Sequence, residues 1–303
     1  MKIIKIISSL LVISAMTIIS SGCTQNQIDQ KVIIKFENLT VLETSFYSDA
    51  GKHAYEYDPW SYEKKKFYEE KAKSSAPKEF TVEFNGEKYT GAFDYVDRIV
   101  PGPLTCYYHG EYFDFEINAK TKELVQFSYH AKAFDSAPIL DEAKCRADAD
   151  AFASKYIEVD QCRVDIKMLS NSERCMFTYT REINGMETGE YIYLIINGNG
   201  NITDLYLRMH NAFDNVVAIV FDEEKVFDAI EAKLATIYEG VDDYEGYTVD
   251  SYCVVKLDNG EFGIMYDITA ELGKVYSADG SSFHYNQTYI TLLITGATVR
   301  PAK

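Results

Sequence analysis

Along most of this chain apolar and polar residues alternate with a period of two, the mark of strands that bury one face. The alternation is plain in residues 31–47 (KVIIKFENLTVLETSFY), 79–96 (EFTVEFNGEKYTGAFDYV) and 114–127 (DFEINAKTKELVQF). It returns at 164–169, 175–183 and 191–196, and again at 247–257, 262–272 and 289–295. Asn85-Gly86, Asn184-Gly185, Asn197-Gly198 and Asn259-Gly260 punctuate these runs. Asn-Gly pairs favour the positive-φ backbone of tight hairpin turns.

Helical spacing interrupts this rhythm at two related places. LDEAK (140–144) and FDEEK (221–225) share a form at an offset of 81 residues. Asp141 and Asp222 stand where an N-cap carboxylate accepts backbone N–H bonds, and the next residue is a Glu that complements the helix dipole. Cys145, Ala149, Ala153 and Tyr156 form an apolar stripe; Val226, Ile230, Leu234 and Ile237 repeat it at the same offset. Gly240 ends the second helix. A third helix, over 61–75, is polar and expected to be exposed. Each striped helix precedes three or four strands. The pattern therefore predicts an α+β fold: repeated units of one helix packed on a small antiparallel sheet, preceded by a β-rich N-terminal region. The strands of the two copies do not align without an insertion. The expected organisation is 31–135 for the β-rich region, 136–210 for the first unit and 211–303 for the second.

The hairpin before each helix carries a resemblance. Asn118, Thr121 and Glu123 match the D/N-x-x-T-G-E-like turn of the PepSY superfamily, the peptidase propeptide-related domains, with Lys122 in the usual Gly position. REINGMETGEYIYLIINGNGNI (181–202) is similar to the propeptide-like pattern of Arg, hydrophobic-Asn-Gly, alternating strand and Gly-x-hydrophobic. The similarity spans roughly residues 112–295 and rests on short motifs. It implies a binding or inhibitory module and brings no catalytic residues with it.

The N-terminus fixes the expected location. Lys2 and Lys5 precede an apolar run from Ile6 to Ile19, too short to span a bilayer and flanked like a secretory signal. Gly22-Cys23 resembles a bacterial lipobox, with Ser20 where Leu is usual, so Cys23 is the expected lipidation site at the end of a 1–23 signal peptide. An ordinary signal with an incidental cysteine is the alternative. Residues 24–30 would form a tether reaching roughly 25 Å when extended, which keeps the folded part near the extracytoplasmic face of the cell membrane.

Charge narrows the partners. The formal charge of −17 becomes −19 when Lys2 and Lys5 leave with the signal, which opposes binding to nucleic acid and to anionic headgroups. Membrane attachment would come from the lipid alone. The 24 tyrosines suit strands that are half exposed, one ring face packed and the hydroxyl wet.

Candidate chemistry is sparse. Cys106, Cys145, Cys162, Cys175 and Cys253 have irregular spacings and no C-x-x-C, and Cys145 and Cys253 read as buried small hydrophobes. The histidines His53, His109, His130, His210 and His284 show no HExxH. Asp279, Ser281 and His284 are close in sequence, which says nothing of a triad. NGNGNITD (197–204) lacks the EF-hand Gly and final carboxylate, having Ile202 and Arg208 there. Glu239, Asp242, Asp243 and Glu245 read as a solvated loop, and Trp60 as a loop aromatic able to stack a sugar or anchor a protein. No catalytic, cofactor or metal residues are assigned. The expectation is a non-enzymatic surface lipoprotein that binds or inhibits an extracytoplasmic protein, a peptidase among the candidates. The alternative is a solute- or glycan-binding lipoprotein.

Overall fold

Hairpins form where the Asn-Gly pairs place them. In the computed structural model, which describes residues 30–44, 62–98, 104–130, 141–169, 174–209, 211–257, 259–277 and 282–302, Asn85 and Gly86 have φ of 52° and 79°. Asn184 and Gly185 follow suit at 44° and 83°. These are the paired left-handed residues that let a two-residue turn match the twist of its strands.

Strand β1 (Val32–Thr44) leads to helix α1 (Tyr62–Ser75) and the hairpin β2 (Glu79–Phe84) and β3 (Glu87–Arg98). Strands β4 (Leu104–His109), β5 (Phe113–Asn118) and β6 (Leu124–Tyr129) precede helix α2 (Glu142–Ala153). Next come β7 (Cys162–Met168), β8 (Arg174–Ile183), β9 (Met186–Asn197), β10 (Ile202–Arg208) and β11 (Val216–Val220). Helix α3 (Glu223–Ile237) and the long strands β12 (Tyr244–Lys256), β13 (Phe262–Tyr276) and β14 (Phe283–Pro301) complete the described elements.

The expected α+β arrangement of repeated helix-on-small-sheet units, with a β-rich region ahead of them, is overturned. The described strands join in one mixed sheet of 14, in the order β11-β1-β14-β13-β12-β9-β10-β6-β5-β4-β3-β2, with β8 and then β7 branching from β9. The reason is long-range pairing. β1 lies between β11, to which it is parallel, and β14, so Val32 stands opposite Pro301 and the first strand shares a sheet with the last. β2–β6 instead extend the sheet formed by β8–β10. Strand β9 serves both sides: it pairs with β8 and β10 and meets Val254 of β12 at Thr188. Gly189 permits that approach, since a Cβ there would sit 2.9 Å from Val255 Cγ1. Beside it, where the β8–β9 register shifts between Thr180 and Glu182, the buried Arg181 guanidinium holds Glu190 at 2.9 Å and Asp214 at 2.8 Å. Glu190 also accepts the Ala212 N–H at 2.7 Å, which fixes the chain leading to β11.

The helix stripes are real, and each covers its own core. Asp141 and Asp222 accept from Lys144 N and Lys225 N as N-caps. Cys145, Ala149 and Ala153 pack with Phe177, Tyr179, Ile192 and Leu194, while Val226, Ile230 and Leu234 pack with Ile34, Ile264, Tyr266 and Ile294. Tyr156 departs from the stripe. α2 ends at Ala153, so Tyr156 falls in the following turn and is 40% exposed.

Residues directly opposite in neighbouring strands point to the same face. One continuous apolar row therefore crosses the sheet: Ile166, Phe177, Leu194, Leu205, Phe127, Phe115, Tyr108 and Phe93, on β7, β8, β9, β10, β6, β5, β4 and β3. Except for its two ends, every member is at most 1% exposed. α2 packs on the stretch of this row carried by β8 and β9.

Candidate functional site

The residues between those apolar positions form the opposite face, turned away from α2. Their central row reads Asp165, Thr178, Tyr193, Tyr206, Gln126, Glu116 and Tyr107 across β7, β8, β9, β10, β6, β5 and β4. Where β6, β9 and β10 meet, Gln126, Ser128, Tyr191, Tyr193, Asp204 and Tyr206 line an open groove of about 250 Å³. Its geometry is local. Tyr191 and Tyr206 stack with centroids 5.8 Å apart, and the Arg208 guanidinium lies 5.8 Å from the Tyr191 centroid. Ser128 Oγ donates to Asp204 Oδ1 at 2.6 Å and Thr203 Oγ1 to Asp204 Oδ2 at 2.8 Å, which holds that carboxylate still. Burial raises the Tyr193 hydroxyl pKa, and nearby Asp204 adds to the effect.

Farther along the same face Tyr95 and Tyr107 stack at 4.6 Å and 15°. Carboxylates surround them. Burial and then Asp97, Glu116, Asp94 and Asp114 raise the Tyr95 pKa, while burial and a hydrogen bond to Asp114 raise that of Tyr107. Glu116 is 7% exposed and accepts a 2.6 Å bond from Thr105 Oγ1. Burial outweighs that bond and lifts its pKa above the ordinary value. His130 Nε2 lies 2.6 Å from Asp114 Oδ2. Ser128 gives its hydrogen bond to Asp204 rather than to this imidazole, so the two do not form a nucleophile–base pair. What the face offers is flat aromatic surface, fixed carboxylate acceptors and a negative field.

The residues singled out in the sequence fall elsewhere or act locally. Cys23, residues 24–29, His53, Trp60, His210, Asp279 and Ser281 lie outside the described residues. The five later cysteines are free thiols: Cys106, Cys145 and Cys175 are buried, Cys162 and Cys253 half-buried, and burial pushes the last two up to about 11. Cys253 is thus less enclosed than its apolar strand suggests. Glu239, Asp242, Asp243 and Glu245 are exposed around the end of α3. Asn197 Oδ1 accepts the N–H groups of Asn199 and Asn201 at 3.1 Å and closes its own turn. At the PepSY-like turn, Asn118 Oδ1 accepts from Lys120 N and Thr121 N, and Lys122 takes φ of 66°. Among the described residues, no group of three or more His, Cys, Asp or Glu is placed to hold a metal ion, and no helix is long and apolar enough to cross a membrane.

Sequence reasoning passed over Tyr107, Glu116, Tyr193, Asp204 and Tyr206. The signal was present in the polar phase of each alternating run and in the abundance of tyrosine. It could not be assembled without knowing which strands are neighbours.

No family model matches the chain, and no curated protein matches it. Among solved structures, an uncharacterized protein from Eubacterium rectale is similar over 84% of this chain and 83% of its own, at 8% identity and a TM-score of 0.31.

Proposed function

We propose that the protein is a non-enzymatic binding or inhibitory module, held by an acylated Cys23 at the extracytoplasmic face of the membrane. Its ligand is an extended, basic segment of another extracytoplasmic protein, a peptidase among the candidates. The observation that carries this reading is the row of Tyr193, Tyr206, Gln126, Glu116 and Tyr107 on five adjacent strands. An extended segment laid across these strands can rest aliphatic stems on the tyrosine rings and direct ammonium or guanidinium groups to Asp204, Glu116 and Asp114. The overall negative charge favours encounter with a basic partner. The PepSY-like turn at Asn118–Glu123 supports the inhibitory character of the module.

A second reading, solute or glycan binding, draws on the Tyr191–Tyr206 stack, a surface on which a sugar ring could lie. Calorimetric titration of the full chain separates the two. A peptide of alternating Lys and Leu should bind, more weakly as salt rises, and about tenfold more weakly after Tyr206→Ala, which corresponds to about 1.4 kcal/mol. Binding of a neutral oligosaccharide instead, lost in the same variant, would establish the second reading.

A further inference from the structure

Strand β7 ends the branch of the sheet formed by β9 and β8, and among the described residues it pairs only with β8. The apolar row that underlies α2 runs out there: Ile166 is 40% exposed and Met168 39%. Such an edge invites another strand unless its side chains oppose one. The sheet's parallel end differs, because at β11 the Asn184 side chain donates to Ile219 O at 3.1 Å and accepts from Ile219 N at 2.8 Å. That cap satisfies the edge groups of Ile219.

We infer that β7 is a self-association edge, pairing antiparallel with β7 of a second copy about a two-fold axis at Ile166. The side chains select both the occupant and the register. With Ile166 opposite its own copy, Val164 faces Met168 twice, so the apolar row continues into the partner. On the other face, Asp165 then faces Lys167 twice, giving two cross-strand pairs of opposite charge. Asp165 already accepts from Arg163 at 3.0 Å, so in the pair it would lie between two cations. Shifting the axis to Asp165 sets Asp165 against Asp165 and Arg163 against Lys167, all like charges. Shifting it to Val164 also pairs Arg163 with Asp165, but Lys167 and Met168 then run past the end of the partner strand at Cys162, where the chain enters the 3₁₀ turn Val159–Gln161, and the exposed Met168 stays uncovered. Of the three, the Ile166 register alone pairs opposite charges and also covers both exposed apolar side chains, Ile166 and Met168.

The shared edge is short, so the expected state is a concentration-dependent dimer rather than a permanent one. Its two-fold symmetry is that of most homodimers. It leaves the tyrosine groove on β6, β9 and β10 open in each copy.

Sedimentation equilibrium of the full chain tests the inference. Wild type should dimerise reversibly with rising concentration. Lys167→Asp, which sets two Asp pairs across the axis, should weaken the dimer at least tenfold, and Asp165→Lys alone should do the same. The double variant Asp165→Lys/Lys167→Asp restores the complementary pattern and should recover the dimer. Unchanged circular dichroism identifies all three as folded. A monomer at every concentration would overturn the inference, as would a dimer that ignores the single variants or one that the double variant fails to restore.

Discussion

Lys122 takes a left-handed backbone, φ 66°, that side chains with a Cβ adopt at a cost. The conformation is held in place: its N–H bonds to Asn118 O at 2.9 Å and its ammonium reaches Ala119 O at 2.7 Å. The polar turn between two alternating runs was legible in the sequence, although nothing there marked the lysine as left-handed. Lys122→Gly should therefore stabilise the fold, by up to about 1 kcal/mol, as read by chemical denaturation. A loss of stability would mean that the lost ammonium bond to Ala119 O and the greater freedom of glycine in the unfolded chain outweigh the backbone strain. Glu116 makes the opposite kind of case. Nothing in FEIN marks its carboxylate as buried, because the enclosing Tyr107, Thr105 and Gln126 come from neighbouring strands. Its folded pKa is raised, so the folded state binds the proton more tightly than the unfolded chain does. Its contribution to stability is then most favourable in acid and is lost as pH rises from the ordinary value of 4.5 through the raised one. Glu116→Gln keeps an acceptor for Thr105 and should remove that part of the pH dependence, leaving the neutral-pH protein at least as stable. An identical pH profile in both proteins would show that Glu116 is not the group responsible.

At the scale of elements, local chemistry was readable and pairing was not. The N-caps, the Asn-Gly turns and the inward stripes of α2 and α3 depend on residues within one or two turns of each other. The pairings that join the hairpins into one sheet link residues far apart in the chain, Val32 with Pro301 at the extreme, and period-two alternation says only that a strand has a buried face. β1 illustrates the gap. Its apolar phase is obvious, yet its neighbours are β11 and β14. The junction of β1 with β14 also sets a sharp steric condition. Gly296, at φ 99°, lies where the β1–β14 register shifts between Phe36 and Thr40, and a Cβ there would fall 1.9 Å from the Asn38 carbonyl oxygen. Backbone cannot swing aside as a side chain can. Gly296→Ala should cost about 2 kcal/mol or more in thermal or chemical unfolding. A near-neutral result would require a different pairing of the first and last strands.

For the whole molecule, the long sheet converts a dispersed sequence signal into one surface. Tyr107, Gln126, Tyr193 and Tyr206 are scattered over about 100 residues of chain, and the strand order sets them in line. The other half of the molecule has aromatic pairs of its own, Tyr238 at the end of α3 with Tyr244 and Tyr252 with Tyr266, which serve as an internal control. Tyrosine-ring NMR of the full chain, titrated with a basic extended peptide, tests the proposed binding face most directly. The ring signals of Tyr107, Tyr191, Tyr193 and Tyr206 should shift together and saturably, while those of Tyr238, Tyr244, Tyr252 and Tyr266 stay in place. Shifts confined to the second group, or none in the first at saturating peptide, would contradict the account.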